Sequence, residues 1–183
     1  MRSFFIAAAA LCSIVSAAPA AIPDSLVPPP PGTALFRLQA KSTVTALNGQ
    51  YVTLKTGATQ YSLGTALASA AQFFYDQYPP TGTYSFRNSD DTRQLALQGP
   101  NGVLLNLIEV VNPSSSSIPG GQLMEWGTFT IEGSVLGVND GSTLKNRTFV
   151  AVKQGTGYDV AFYDGVSNTT AAVTPITLSI LKV

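Results

Sequence analysis

From Ala34 onward the sequence never sustains a helical apolar repeat. It is a succession of short runs rich in Val, Thr, Phe, Tyr and Leu, punctuated by Gly, Asn, Asp and Pro. Runs of this kind with turn signals between them read as strands, so the chain is expected to be all-β. Strands are predicted near 34–40, 50–55, 59–64, 71–77, 82–88, 93–98, 103–111, 124–132, 134–138, 147–153, 157–163 and 175–182. The best helical candidate is the Ala-rich stretch Thr65 to Gln72, which reads equally as a loop leading into Phe73-Phe74.

The runs rhyme. Asn48-Gly49-Gln50-Tyr51-Val52-Thr53-Leu54-Lys55-Thr56-Gly57 returns as Asn146-Arg147-Thr148-Phe149-Val150-Ala151-Val152-Lys153-Gln154-Gly155. Arg93 to Gln98, followed by Gly99-Pro100-Asn101-Gly102, holds the corresponding place in the middle of the chain. Phe74-Tyr75-Asp76 is matched by Phe162-Tyr163-Asp164. Repeats of about 45 residues suggest a β-trefoil-like fold of three four-strand units. A two-sheet β-sandwich uses the same short strands and stays open as the alternative.

Before the strands lie two segments of other kinds. Met1-Arg2, the apolar run Phe4 to Val15 and the small residues Ser16-Ala17-Ala18 have the layout of a signal peptide, expected to span residues 1–17. Residues 18–33, with Pro28 to Pro31, read as an extended proline-rich lead. Residues 34–183 are then a single domain. Removing residues 1–17 takes away Cys12, the only cysteine, so the secreted domain must stand on its own core. The secretory route also makes Asn146-Arg147-Thr148 and Asn168-Thr169-Thr170 usable as N-glycosylation acceptors. The apolar tail Ala171 to Leu181 is broken by Pro175 and followed by Lys182, so a C-terminal strand explains it better than a lipid-anchor signal. No membrane association is expected once the signal is gone.

Charge and composition exclude several kinds of chemistry. The chain has no His, so Ser-His-Asp and Cys-His mechanisms and His-ligated metals are ruled out. Ten Lys and Arg against ten Asp and Glu leave no basic face for nucleic acid. The carboxylates form no evident catalytic pair. Glu125 and Glu132 fall on opposite faces of one regular strand, and Asp90-Asp91 sits in a turn. Asn139-Asp140-Gly141-Ser142 lacks the acidic ladder of a calcium loop and reads as a turn. No enzyme activity, metal or cofactor is expected.

The aromatic residues are the better lead. On a regular strand 124–132, Phe129 and Ile131 face inward and Trp126 outward, where its ring could stack on a sugar. A bulge at Gly127 would instead flip the register and bury the ring. In 157–163 the same alternation turns Tyr158, Val160 and Phe162 inward and leaves Asp159 and Tyr163 outside. The candidate ligand-binding residues are therefore Trp126 and Tyr163 as an aromatic platform, with Asp159 and Asp164 accepting hydroxyl bonds. Gln72-Phe73-Phe74 matches the Gln-x-Trp/Phe signature of ricin-type trefoil lectins once, without counterparts elsewhere.

Trp126, then Phe129-Thr130-Ile131, Val135-Leu136, Phe149-Val150-Ala151 and Tyr158-Asp159-Val160-Ala161-Phe162 follow one another in a familiar order. The stretch Glu125 to Gly165, with a weaker contribution from Thr83 to Gly102, resembles the small secreted hyphal cell-wall proteins of fungi linked to phialide and spore development, and their relatives described as IgE-binding allergens. Members of that group often carry cysteines that this domain lacks, so no disulfide framework transfers. The resemblance implies a wall-associated, non-enzymatic role. The expected function is that of a secreted structural or interaction protein of the fungal wall or extracellular space, with wall polysaccharide or a wall protein as partner. A lectin-like trefoil or secreted effector is the alternative. A protease inhibitor presenting the loop Ser114 to Gln122 comes third.

Overall fold

The structure is a computed structural model that describes residue 29 and residues 31–183. The expected signal peptide, and all of the expected lead except residues 29 and 31–33, lie outside the described residues. Four strands come first: β1 (Phe36–Lys41), β2 (Tyr51–Leu54), β3 (Tyr61–Gly64) and β4 (Phe73–Tyr78). Next are β5 (Thr83–Asn88), β6 (Gln94–Gly99), β7 (Leu104–Val110), β8 (Leu123–Trp126) and β9 (Phe129–Glu132). The last are β10 (Val135–Val138), β11 (Thr148–Gln154), β12 (Gly157–Tyr163), β13 (Val173–Pro175) and β14 (Thr177–Lys182). The fold is all-β.

Every strand pairing is antiparallel. Ten strands close into a barrel in the order β12, β3, β2, β1, β14, β10, β9, β5, β6, β7, with Phe162 of β12 opposite Leu105 of β7 at the closure. Four strands attach outside or across this circuit: β11 on β12, β13 on β11, β8 on β6, and β4 between β1 and β5. Through β4 a shorter circuit of six strands also closes: β1, β4, β5, β9, β10 and β14. Three hairpins, β2–β3, β6–β7 and β11–β12, occupy the intervals between these six strands. The hairpins meet one another, Asp159 of β12 opposite Ser62 of β3 and Gln60 bridged to Ile108 of β7.

Strand alternation places the core. Each of the six strands of the shorter circuit supplies a side chain no more than 2% exposed: Leu38, Phe73, Phe86, Phe129, Leu136 and Leu178. Fully burying a Phe or Leu is worth about 1.5–3 kcal/mol, so every strand is held by the others. Phe86 and Phe129 meet edge to face at 5.7 Å, and Tyr61 reaches from β3 to Phe73 at 5.7 Å. The hairpins add Val52, Leu95, Leu97, Leu105, Leu107 and Val160 to the same cluster.

Three expectations need correction. The Ala-rich candidate helix is one 3-10 turn, Leu67–Ser69, without a side-chain cap and with none of its residues buried. One short turn cannot offset the cost of helix nucleation. The run 124–132 is two strands, because Gly127 adopts φ +67 and breaks the extended chain before Phe129. Finally, the rhyming pieces of the sequence do not all correspond. Tyr51–Leu54, Gln94–Gly99 and Thr148–Gln154 each open a hairpin, but Phe74-Tyr75 lies on β4 and Phe162-Tyr163 on the second strand of a hairpin.

Candidate functional site

The break at Gly127 creates the most developed cleft. Before it, β8 lies along β6, with Trp126 opposite Ala96 and Glu125 opposite Leu97. After it, β9 enters the barrel beside β5, with Phe129 opposite Tyr84. The left-handed glycine therefore separates the two aromatic residues: Phe129 is fully buried, and Trp126 is half-buried outside the core. The Thr83 hydroxyl fixes the break by donating to the Gly127 carbonyl at 2.6 Å. On β5, Tyr84 and Phe86 pack with the core, so alternation turns Thr83, Ser85 and Arg87 to the opposite face. The third wall is the turn at Asn139 to Gly141, held by the Asn139 amide donating to the Thr128 carbonyl at 2.7 Å.

The resulting cleft has a volume of about 770 Å³. Trp126 and the exposed Tyr78 supply aromatic surface, while Arg87, Gln94, Asn139 and Asp140 supply polar groups. Three of its lining residues, Ser85, Arg87 and Thr128, each carry a buried polar atom with no hydrogen-bond partner: Oγ, Nε and Oγ1 respectively. Among the described residues only Arg37, Glu125 and Arg147 share that property. A buried polar atom without a partner costs about 1–3 kcal/mol, so each of these atoms is suited to take a partner from the cleft, a water or a bound group.

Behind the cleft lies a charged cluster. The Arg147 guanidinium donates to the Asp140 carboxylate, with both side chains about nine-tenths buried, and stacks 4.7 Å above the Phe162 ring. Asp140 also accepts from the Ser142 amide at 2.9 Å. Burial would raise the Asp140 pKa, but the bonds from Arg147 and Ser142 outweigh it and hold the carboxyl below its usual value. Glu125 is pushed up to about 7, first by burial and then by its hydrogen bond and charge contact with Asp140, against the opposing pull of Arg147. Glycoside hydrolysis needs two carboxyl groups roughly 5 Å or more apart across the scissile bond. Here the Asp140 carboxylate is engaged by Arg147 and Ser142, so it ties down the 139–147 loop. Beyond that loop a second cavity of about 460 Å³ shares Asn139 and Asp140 with the first.

The structure does not bring the four sequence-predicted binding residues to one cavity. Trp126 lines the cleft, whereas Asp159, Tyr163 and Asp164 are absent from its walls. Asp159 accepts from the Ser62 hydroxyl at 3.0 Å where two hairpins meet. The Tyr163 hydroxyl donates to the Ser167 carbonyl. Asp164, only 5% exposed, accepts from the Val166 and Ser167 amides at 3.0 Å and from the Ser167 hydroxyl at 2.5 Å. Burial works against its charge, but these bonds prevail and keep the carboxyl below its ordinary pKa. The glycosylation candidates Asn146 and Asn168 are both exposed. Ser85, Arg87 and Gln94 were not singled out from the sequence, although strand alternation along 82–88 sets Ser85 and Arg87 on the face opposite Phe86, and Asn139 was read only as part of a turn.

Among the described residues, no group of three or more Cys, Asp or Glu is placed to hold a metal ion, and no helix is long and apolar enough to cross a membrane. Compared with known proteins, the chain matches no family model, no curated sequence and no solved structure.

Proposed function

We propose that this is a secreted, non-enzymatic protein of the fungal wall or extracellular space that acts by holding wall polysaccharide in the Trp126 cleft. The carrying observation is the cleft itself, which joins an aromatic face to unpaired polar groups. A pyranose ring has the same two-sided character, with an apolar C–H face and a hydroxyl rim, and cavities that combine apolar walls with a few placed polar groups are usual ligand sites. The signal-like start and the resemblance to hyphal wall proteins support the extracellular setting. The non-enzymatic reading is supported by the commitment of Asp140 to Arg147 and Ser142.

For the architecture we infer a β-trefoil. The six-strand circuit would be its barrel, the three hairpins its cap, and β8 and β13 additions to the second and third units. The equivalent placement of β2, β6 and β11 supports this reading over a two-sheet sandwich.

The test of function is sedimentation of the secreted protein with insoluble chitin, β-glucan and purified fungal wall. Saturable binding, weakened more than tenfold by Trp126→Ala at unchanged fold, is expected. Absence of binding to all three polymers would sink the carbohydrate reading.

A further inference from the structure

We infer that the Trp126 cleft selects a neutral sugar bearing an acetamido group, an N-acetylated hexosamine unit within a polysaccharide, and that Ser85, Arg87 and Thr128 determine this specificity. The inference rests on the carbohydrate reading of the cleft and adds the class of sugar.

A guanidinium donates hydrogen bonds and accepts none. Arg87 gives Nη1 to Asp91 at 2.7 Å, while its Nε has no partner. The ion pair anchors one end of the guanidinium and offsets its charge, while the rest of the group, a donor only, lines the cleft. Such a wall favours a strong neutral acceptor, and an amide carbonyl is a better one than a sugar hydroxyl. Ser85 and Thr128 carry hydroxyls that both give and accept. A rotation about χ1, an ordinary change between staggered rotamers, turns either one toward the cleft that it lines. One hydroxyl can then support the carbonyl and the other receive the amide N–H. The acetyl methyl would rest against the Trp126 ring, the apolar side of the same cleft.

The charges narrow the choice further. Arg87 is matched by Asp91 and Arg147 by Asp140, so the cleft offers no surplus positive charge to hold a uronic acid. An amino sugar without its acetyl group brings an ammonium to the donors of Arg87 and loses the carbonyl they require. The acetylated sugar avoids both penalties.

Calorimetric titration with soluble oligomers of equal length tests this: N-acetylglucosamine, glucosamine and glucose chains. The unaltered protein should bind the acetylated oligomer about 10–100-fold more tightly than either other one, the scale expected when one or two buried polar groups gain or lose a partner. Trp126→Ala should abolish binding to every oligomer. Arg87→Lys keeps a cation for Asp91 but loses the planar fork, and should reduce the preference to less than threefold. Ser85→Ala removes a hydroxyl that bonds to nothing, so it should fold normally and lower affinity for the acetylated oligomer alone. Equal affinity for all three oligomers would overturn the selectivity and leave the carbohydrate reading standing. Absence of binding to any would overturn both. An undiminished preference in both Ser85→Ala and Arg87→Lys would overturn the assignment to these residues.

Discussion

The turn from Asp164 to Ser167 and the cleft at Trp126 are both rich in polar groups, but they use them in opposite ways. In the turn, the Asp164 carboxylate accepts from two amides and one hydroxyl, and Tyr163 closes over the Ser167 carbonyl. In the cleft, Ser85, Arg87 and Thr128 each keep a buried atom without a partner. A polar cluster that satisfies itself has nothing left to offer a ligand, and its worth is in the fold. A cluster left unsatisfied weakens the fold and gains its worth when something binds.

The largest expected effects lie in the closed turn. Gly165 adopts φ +77, and a Cβ there would stand 2.1 Å from the Asn146 carbonyl oxygen, a backbone atom with nowhere to go. Gly165→Ala should therefore cost about 4 kcal/mol in chemical denaturation, combining strain at positive φ with overpacking. Asp164→Ala, which strands two amides and a hydroxyl, should cost about 2 kcal/mol. Unchanged stability in both variants would erase the contrast.

A smaller effect belongs to the cluster behind the cleft. Glu125 keeps its proton in the folded protein up to about pH 7, where the unfolded chain has lost it. The stability it contributes is thus fully present below about pH 4.5 and disappears as the pH rises through 7. Glu125→Gln should flatten that decline. Solvent screening on its open side limits the gain at pH 8 to ~1 kcal/mol, or about 2–4 °C in Tm. Thermal melts of both proteins from pH 4.5 to 8 check this, and parallel curves would contradict it.

The smallest effect should come from the open cleft. Thr128→Val replaces an unpaired hydroxyl by a methyl of the same shape and should change stability by less than ~0.5 kcal/mol, or raise it slightly. A loss comparable with that of Asp164→Ala would mean that Thr128 has a structural bond after all.

The same contrast explains what could be read from the sequence. Strand positions were legible because alternation around residues such as Phe86 and Val160 is local and reports directly on burial. Asp164 was read as a ligand-binding acceptor, whereas its carboxylate is bonded within its own turn, to the Val166 and Ser167 amides and the Ser167 hydroxyl. The place of Asp159 was not legible, because its partner Ser62 is 97 residues away. For Trp126 the outcome hinged on Gly127, where a bulge and a strand break have the same sequence signature. Asp140 was read as a turn residue, and it does cap Ser142, but its union with Arg147 and Glu125 depends on loops that only the fold brings together. The cleft is invisible in any single segment, since its walls come from β4, β5, β6, β8 and the 139–141 turn.

The pairing of β1 with β14, unbroken from Phe36 opposite Lys182 to Lys41 opposite Thr177, has a consequence for how the protein is made. During synthesis the first strand must wait for the last, and neither circuit can close until the end of the domain has emerged. Such long-range closure slows folding and exposes strand edges to proteases and to other chains in the meantime. Once both ends are clasped, the same pairing protects the molecule. With a single cysteine the chain has no internal disulfide to serve as a fastener, so its endurance depends on how rarely this seam between the ends comes apart.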